Sequence, residues 1–183
     1  MEEESPLEAK EKLEEINEYV GSGWTRYLSI STAIIAVLAA IATLLSGNYA
    51  NDALLKKNDA IFAQSKASDQ WNYYQSKGVK KNVDEGFYRQ SPDPVLKAEI
   101  DKYAGQQIDI EKQAKDLEAQ ALSLNEQSET FLNKHHQLAI GVTLFQVAIA
   151  LSAIAALLRT KPLWLLSLLG SLLGLAYLAM GLK

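Results

Sequence analysis

Few side chains in this 183-residue sequence are of the types that do chemistry. His135 and His136 are its two histidines, and they are adjacent. On a helix such neighbours diverge by about 100°, so one chain cannot turn both toward one metal ion. They read as interfacial histidines closing the end of an apolar seam, with a ligand ring of one histidine per subunit as the alternative. The absence of cysteine excludes disulfides and thiolate metal sites. There is no glycine-rich phosphate loop, no nucleophile elbow and no H-E-x-x-H. Carboxylate pairs such as Asp84-Glu85 fall near a turn and read as solvated. No catalytic residue, cofactor or metal site is expected, and the chain is not expected to be an enzyme. A net charge of −4 gives no reason to expect nucleic acid.

The remaining polar and aromatic residues point to contacts between helices. Ser68-Asp69-Gln70-Trp71-Asn72-Tyr73-Tyr74-Gln75-Ser76-Lys77 is a dense aromatic-polar block. Trp71, Tyr73 and Tyr74 are favoured interface anchors, and a thin pair of helices cannot bury all three. They are expected to pack on a facing arm and on neighbouring subunits, or to form a surface for a dedicated partner. Asn51, Asn58, Ser65 and Asn72 repeat at seven residues. Asparagine at a seam commonly sets register and oligomer number, and in a ring of subunits the stripe could line a wet axial channel. Gln146 sits in the middle of an apolar run, where an amide is costly unless hydrogen-bonded, so it should face another helix or a pore. Gly170 and Gly174 form a GxxxG in another apolar run, with Ser167 nearby and Gly181 one heptad beyond. Gly174 is expected to touch another spanning helix, with the Ala36/Ala40 face of the first span, or its counterpart in a neighbouring subunit, as the favoured partner.

Three blocks free of acidic side chains must position these residues: Tyr27 to Gly47, Leu138 to Leu158 and Leu163 to Leu182. Each has about the 20 residues a helix needs to cross a bilayer. Membrane helices are therefore expected over 24–49, 138–158 and 162–182. A soluble bundle of the same helices would have no polar shell left to cover them. Trp24, Tyr27 and Tyr49 flank the first span as interfacial aromatics do. Ala40-Ile41-Ala42 resembles a signal cleavage motif, but the acidic preceding segment and the long apolar run favour a retained anchor.

Between spans one and two, Leu96 to Leu138 carries an unbroken 4-3 apolar seam. Half of the seam is large (Leu117, Leu124 and Phe131 among others). The other half is small or polar: Gln107, Ala114, Ala121, Ser128 and His135. Ala53, Ala60, Ala67 and Tyr74 repeat at seven residues in the preceding segment. The segment 50–137 is expected to fold as an antiparallel coiled-coil hairpin, the first helix ending near Asn82 and residues 83–95 forming the turn. Folded about Pro92, it sets Ala53 opposite Phe131, Ala60 opposite Leu124, Ala67 opposite Leu117 and Tyr74 opposite Ile110, small against large. Arms of about 40 residues would reach roughly 60 Å.

Residues 1–23 read as an acidic amphipathic helix, opened by the capping-box pattern Ser5-Pro6-Leu7-Glu8 and closed by Gly21-Ser22-Gly23. It could dock on a neighbouring subunit or a soluble partner. Arg26, Arg159 and Lys161 lie toward one side, with Lys10 and Lys12 nearby, and Lys56, Lys57, Lys134 and Lys183 flank the other. That slight bias predicts a cytoplasmic N-terminus and an extracytoplasmic hairpin.

Ala50-Asn51-x-Ala53-Leu54, the Asp69-Gln70-Trp71-x-Tyr73-Tyr74-Gln75 block, His135-His136, Thr143-Leu144-Phe145-Gln146-x-Ala148-Ile149 and Leu163-Trp164 carry a resemblance. The chain after Trp24 resembles a bacterial family of three-span membrane proteins catalogued only as a domain of unknown function. The resemblance implies a bacterial inner-membrane protein and supplies no activity, cofactor or site. The expected whole is an all-α integral membrane protein, a homo-oligomeric, non-enzymatic scaffold or assembly protein in contact with lipid. A homo-oligomeric channel is the alternative, and a sensor or adaptor lacks any output domain in the chain.

Overall fold

A computed structural model describes residues 23–183. The expected N-terminal helix, apart from Gly23, lies outside the described residues. Three helices account for nearly all of the rest: α1, Gly23–Gln90, of 68 residues; α2, Pro94–Leu158, of 65 residues; and α3, Lys161–Gly181, of 21 residues. Each contains a stretch long and apolar enough, by length and composition, to cross a membrane.

Proline punctuates both connections. α1 continues past Asn82 to Gln90, further than the glycine at position 86 suggested. An isolated Gly within a helix costs only about 1 kcal/mol relative to Ala, and Gly86 is exposed and unobstructed. The helix stops before Ser91-Pro92-Asp93, because proline has no N–H to continue the ladder. Ser91 N–H still donates to the Phe87 carbonyl at 2.9 Å. Asp93 then caps α2, its Oδ1 accepting from Val95 N–H at 2.8 Å and its carbonyl from Lys97 N–H at 3.1 Å. Pro94 occupies the first helical position, where its missing donor costs nothing. The second connection is tighter. Arg159 adopts φ 52°, a left-handed conformation usually left to glycine at a helix C-terminus. This turn lets Thr160 N–H reach the Ala155 carbonyl at 3.1 Å.

The chain divides into two compact units: Tyr49–Leu132, and Asn133–Lys183 with the described residues up to Asn48. In the three-helix unit, Phe145, Leu138 and Ala148 are fully buried. The buried polar side chains there are the hydroxyls of Ser46, Ser152 and Ser167. Large apolar residues such as Leu44, Leu157, Leu169 and Leu172 point outward.

In the two-helix unit, the residues enclosed between α1 and α2 are mostly small. Ala53, Ala60, Ala63 and Ala67 are buried on α1, and Ile110, Ala114, Ala121 and Ser128 on α2. Ser128 Oγ donates to the Ala53 carbonyl at 2.8 Å, and Gln107 Nε2 to the Tyr74 carbonyl at 3.3 Å. Position numbers fall on one helix as they rise on the other. These bonds set Ala53 level with Ser128, one turn away from the expected Phe131, and Tyr74 level with Gln107 instead of Ile110. The same step brings Ala60 toward Ala121 and Ala67 toward Ala114. Small side chains thus meet small ones, which lets the two backbones come close enough for a hydroxyl to reach across. Phe131 stacks on Tyr49, ring centroids 6.1 Å apart.

Candidate assembly surface

The close seam decides where the other side chains go. With alanine between the helices, the large residues beside it are turned to the flanks. On one flank Ala60 and Ala121 floor a groove of about 460 Å³, walled by Ile61 and Leu122 and ended by Lys57 and Glu118. On the other flank, at the same height, a smaller hollow of about 180 Å³ lies beside Asp59, Phe62, Lys66 and Leu124. Lys57 donates to Asn125 Oδ1, and Lys66 Nζ sits 4.3 Å over the Phe62 ring. Leu54, Leu55, Ile61, Phe62 and Leu122 are 60% to 63% exposed, an unusual density of large apolar surface for a pair of helices facing water.

The aromatic block is split by its helix geometry. Trp71 is half-buried and donates its Nε1–H to Glu118 Oε1 at 2.8 Å, so the Glu118 carboxylate belongs to both the groove and the tryptophan. Tyr74 meets Trp71 edge-on at 5.5 Å. Tyr73 points outward, with Lys77 Nζ 4.8 Å from its ring centre. Asn51, Asn58, Ser65 and Asn72 are all exposed. Their stripe lies on the back of α1, not at the seam between the two helices. Lys97 and Lys115 form exposed i,i+4 pairs with Asp101 and Glu111. The hydrogen bond each lysine donates to its partner carboxylate, and then that carboxylate's charge, raises the lysine pKa. Such surface pairs contribute little to stability.

The remaining expected contact residues belong to the three-helix unit. His135 Nδ1 lies 2.9 Å from the Ser46 carbonyl and 2.9 Å from Ser46 Oγ, while Ser46 Oγ donates to the His135 carbonyl at 3.3 Å. With its proton on Nδ1, His135 donates to the Ser46 carbonyl while Ser46 donates back, a reciprocal exchange between α1 and α2. His136 is exposed, its ring centre 5.5 Å from that of His135. Among the described residues, no group of three or more His, Cys, Asp or Glu side chains could hold a metal ion.

Gly170 and Gly174 face α2, not α1. A Cβ on Gly174 would stand 2.9 Å from the Phe145 ring and 3.2 Å from the Gly141 carbonyl. One on Gly170 would meet Ala148 Cβ at 3.7 Å. Ala36 and Ala40, the expected partners, are exposed on α1. Gln146 is also exposed and makes no side-chain hydrogen bond among the described residues.

Two features escaped the sequence reading. Ser152 Oγ and Ser167 Oγ meet at 2.8 Å in the interior, and Ser167 also donates to the Trp164 carbonyl at 2.9 Å. A lone serine in an apolar run is the available signal for such a pair. The paired grooves were hidden by the one-turn shift. Aligning Ala53, Ala60 and Ala67 with Ser128, Ala121 and Ala114 would have exposed them.

A family model described as a domain of unknown function, DUF4337, matches residues 24–183. No curated protein and no solved structure matches. The chain belongs to the DUF4337 family.

Proposed function

We propose that this chain is a non-enzymatic, multi-pass membrane protein that assembles with copies of itself, its antiparallel coiled-coil unit forming the scaffold. One observation carries the reading. The two-helix unit encloses mainly alanine, yet leaves Leu54, Leu55, Ile61, Phe62 and Leu122 at 60% to 63% exposure. Apolar area contributes about 25 cal/mol per Å² only when it leaves water. An alanine seam between two helices supplies little of that, and the flanks supply it when neighbouring chains cover them. Insertion in a bilayer is supported by the three-helix unit, where the Ser46, Ser152 and Ser167 hydroxyls are buried while Leu44, Leu157, Leu169 and Leu172 are exposed, an order suited to lipid. Arg26, Arg159 and Lys161 favour a bacterial inner-membrane orientation with the N-terminus cytoplasmic and the coiled coil extracytoplasmic. Native mass spectrometry of the protein released from lipid nanodiscs tests the assembly. Several chains per particle are expected, and a strictly monomeric protein overturns the reading.

A second reading, a pore at the axis of the assembly, draws on the exposure of Asn51, Asn58, Ser65 and Asn72 along one face of α1. Single-channel recording in planar bilayers separates the two. A scaffold leaves the bilayer silent, whereas a pore gives discrete conductance that changes when Asn58 is replaced by leucine.

A further inference from the structure

The two flanks of the coiled-coil unit differ, and their differences match. α1 turns about 100° per residue, so Lys57 and Ile61 lie to one side of the buried Ala60, and Asp59, Phe62 and Lys66 to the other. The first side is concave, with its floor at Ala60 and Ala121. The second presents Phe62, 63% exposed, beside a smaller hollow. Charges follow the same division. Lys57 and Glu118 stand at the two ends of the groove, and Asp59 and Lys66 flank Phe62 on the far side.

Chains held in one membrane with one topology are related by rotation about its normal, and where their coiled-coil units run side by side equivalent residues are level. Along α1, at 1.5 Å per residue, Asp59 is offset about 3 Å from Lys57. Ser128 is level with Ala53 and Gln107 with Tyr74, so Glu118 is level with Ala63, about 4.5 Å from Lys66. Both offsets lie within the reach of a lysine side chain. One chain's concave flank therefore offers positive then negative charge where the other flank of a parallel neighbour offers negative then positive, with Phe62 between.

We propose that the Ala60/Ala121 groove receives Phe62 of a second copy, with Lys57 facing that copy's Asp59 and Glu118 facing its Lys66. The contact joins unlike faces, so each chain gives one face and receives the other. Repeated by rotation, it closes into a ring and does not stop at a two-fold dimer. Lys57 keeps Asn125 as a second acceptor, since an ammonium has three donors. The inference rests on the membrane-scaffold reading and adds the surface, orientation and order of the subunits.

The 183-residue sequence contains no cysteine, so thiols placed in it report without background. In nanodiscs, the Lys57→Cys/Asp59→Cys variant treated with a short bismaleimide should give a ladder of dimers, trimers and higher species. Either single variant should stay monomeric on a denaturing gel. Separately, Lys57→Asp and Asp59→Lys should each reduce the native oligomer, and the double exchange should restore it. Circular dichroism verifies that every variant retains its helix content. Dimers from a single-cysteine variant mean that like faces meet, which overturns the proposal. An uncrosslinked double variant, or a charge exchange without recovery, overturns it while an intact native oligomer leaves the scaffold reading standing. A monomeric unsubstituted protein overturns both.

Discussion

Ser128 donates its hydroxyl to the backbone carbonyl of Ala53 across a separation of 2.8 Å. That bond joins two heptad series whose members are nearly all small, and it is possible only because no bulky side chain separates the helices. It also accounts for the grooves. Where Ala60 and Ala121 follow at the next layer, neither side chain fills the space on the flanks of the seam.

The tightness of this seam gives a first prediction. Ala67 and Ala114 are both fully buried, so Ala67→Leu has no room and must push the helices apart. Overpacking of this kind costs about 1–3 kcal/mol. A lowered midpoint in thermal unfolding followed by helicity is the expected result. Asn58→Leu on the exposed back of the same helix serves as the control and should leave the midpoint nearly unchanged. Equal midpoints for Ala67→Leu and the unsubstituted protein would remove the close seam.

The seam also marks where sequence reasoning stopped. A seven-residue period identifies which residues share a face, and on that basis both Ala53/Ala60/Ala67 and Ala114/Ala121/Ser128 were visible. Periodicity leaves the axial offset open. Pairing small with large and pairing small with small are both close-packed solutions, differing by one helical turn. Three long apolar helices were legible because about 20 uninterrupted apolar residues have few other uses. The partner of Gly174 was not, since a small residue permits close approach without specifying which helix approaches. Ser152 carried no pattern of its own, and its role depends wholly on Ser167 across the interface.

That serine pair gives the second prediction. Ser167 retains the Trp164 carbonyl as an acceptor if Ser152 becomes alanine, so the single change should be mild. Interhelical polar contacts in membrane proteins average about 0.6 kcal/mol in double-mutant cycles. The cycle Ser152→Ala, Ser167→Ala and the double variant should give coupling of that size in reversible unfolding. Strict additivity would mean that the two hydroxyls do not interact.

Orientation is the third. Gln90 is exposed at the end of α1, and a cysteine there would be unique in the chain. With the outer membrane permeabilised and the inner membrane intact, it should react with a membrane-impermeant maleimide. A cysteine replacing Arg159, in the turn between α2 and α3, should react only after lysis. Because that change also removes a charge read as topogenic, Leu158→Cys provides the check with Arg159 kept. Protection of the Gln90 thiol would place the two-helix unit in the cytoplasm and overturn the proposed orientation.

Gly174 and Gly170 make the fourth prediction because one addition, a methyl group, should act in opposite directions at two positions one turn apart. At Gly174 the new Cβ stands 2.9 Å from two atoms of the Phe145 ring and 3.2 Å from the Gly141 carbonyl. Phe145 is fully buried and has nowhere to retreat. Gly174→Ala should therefore cost about 1–3 kcal/mol, as overpacking does. At Gly170 the nearest atom, Ala148 Cβ, is 3.7 Å away, an ordinary contact. There the gain in helix propensity, up to about 1 kcal/mol, is unopposed. Thermal unfolding should place Gly174→Ala below and Gly170→Ala level with or above the unsubstituted protein. Phe145→Leu added to Gly174→Ala should recover part of the loss, since it removes the ring atoms that clash. If both glycine variants unfold together with the unsubstituted protein, α3 does not pack on α2 through this face.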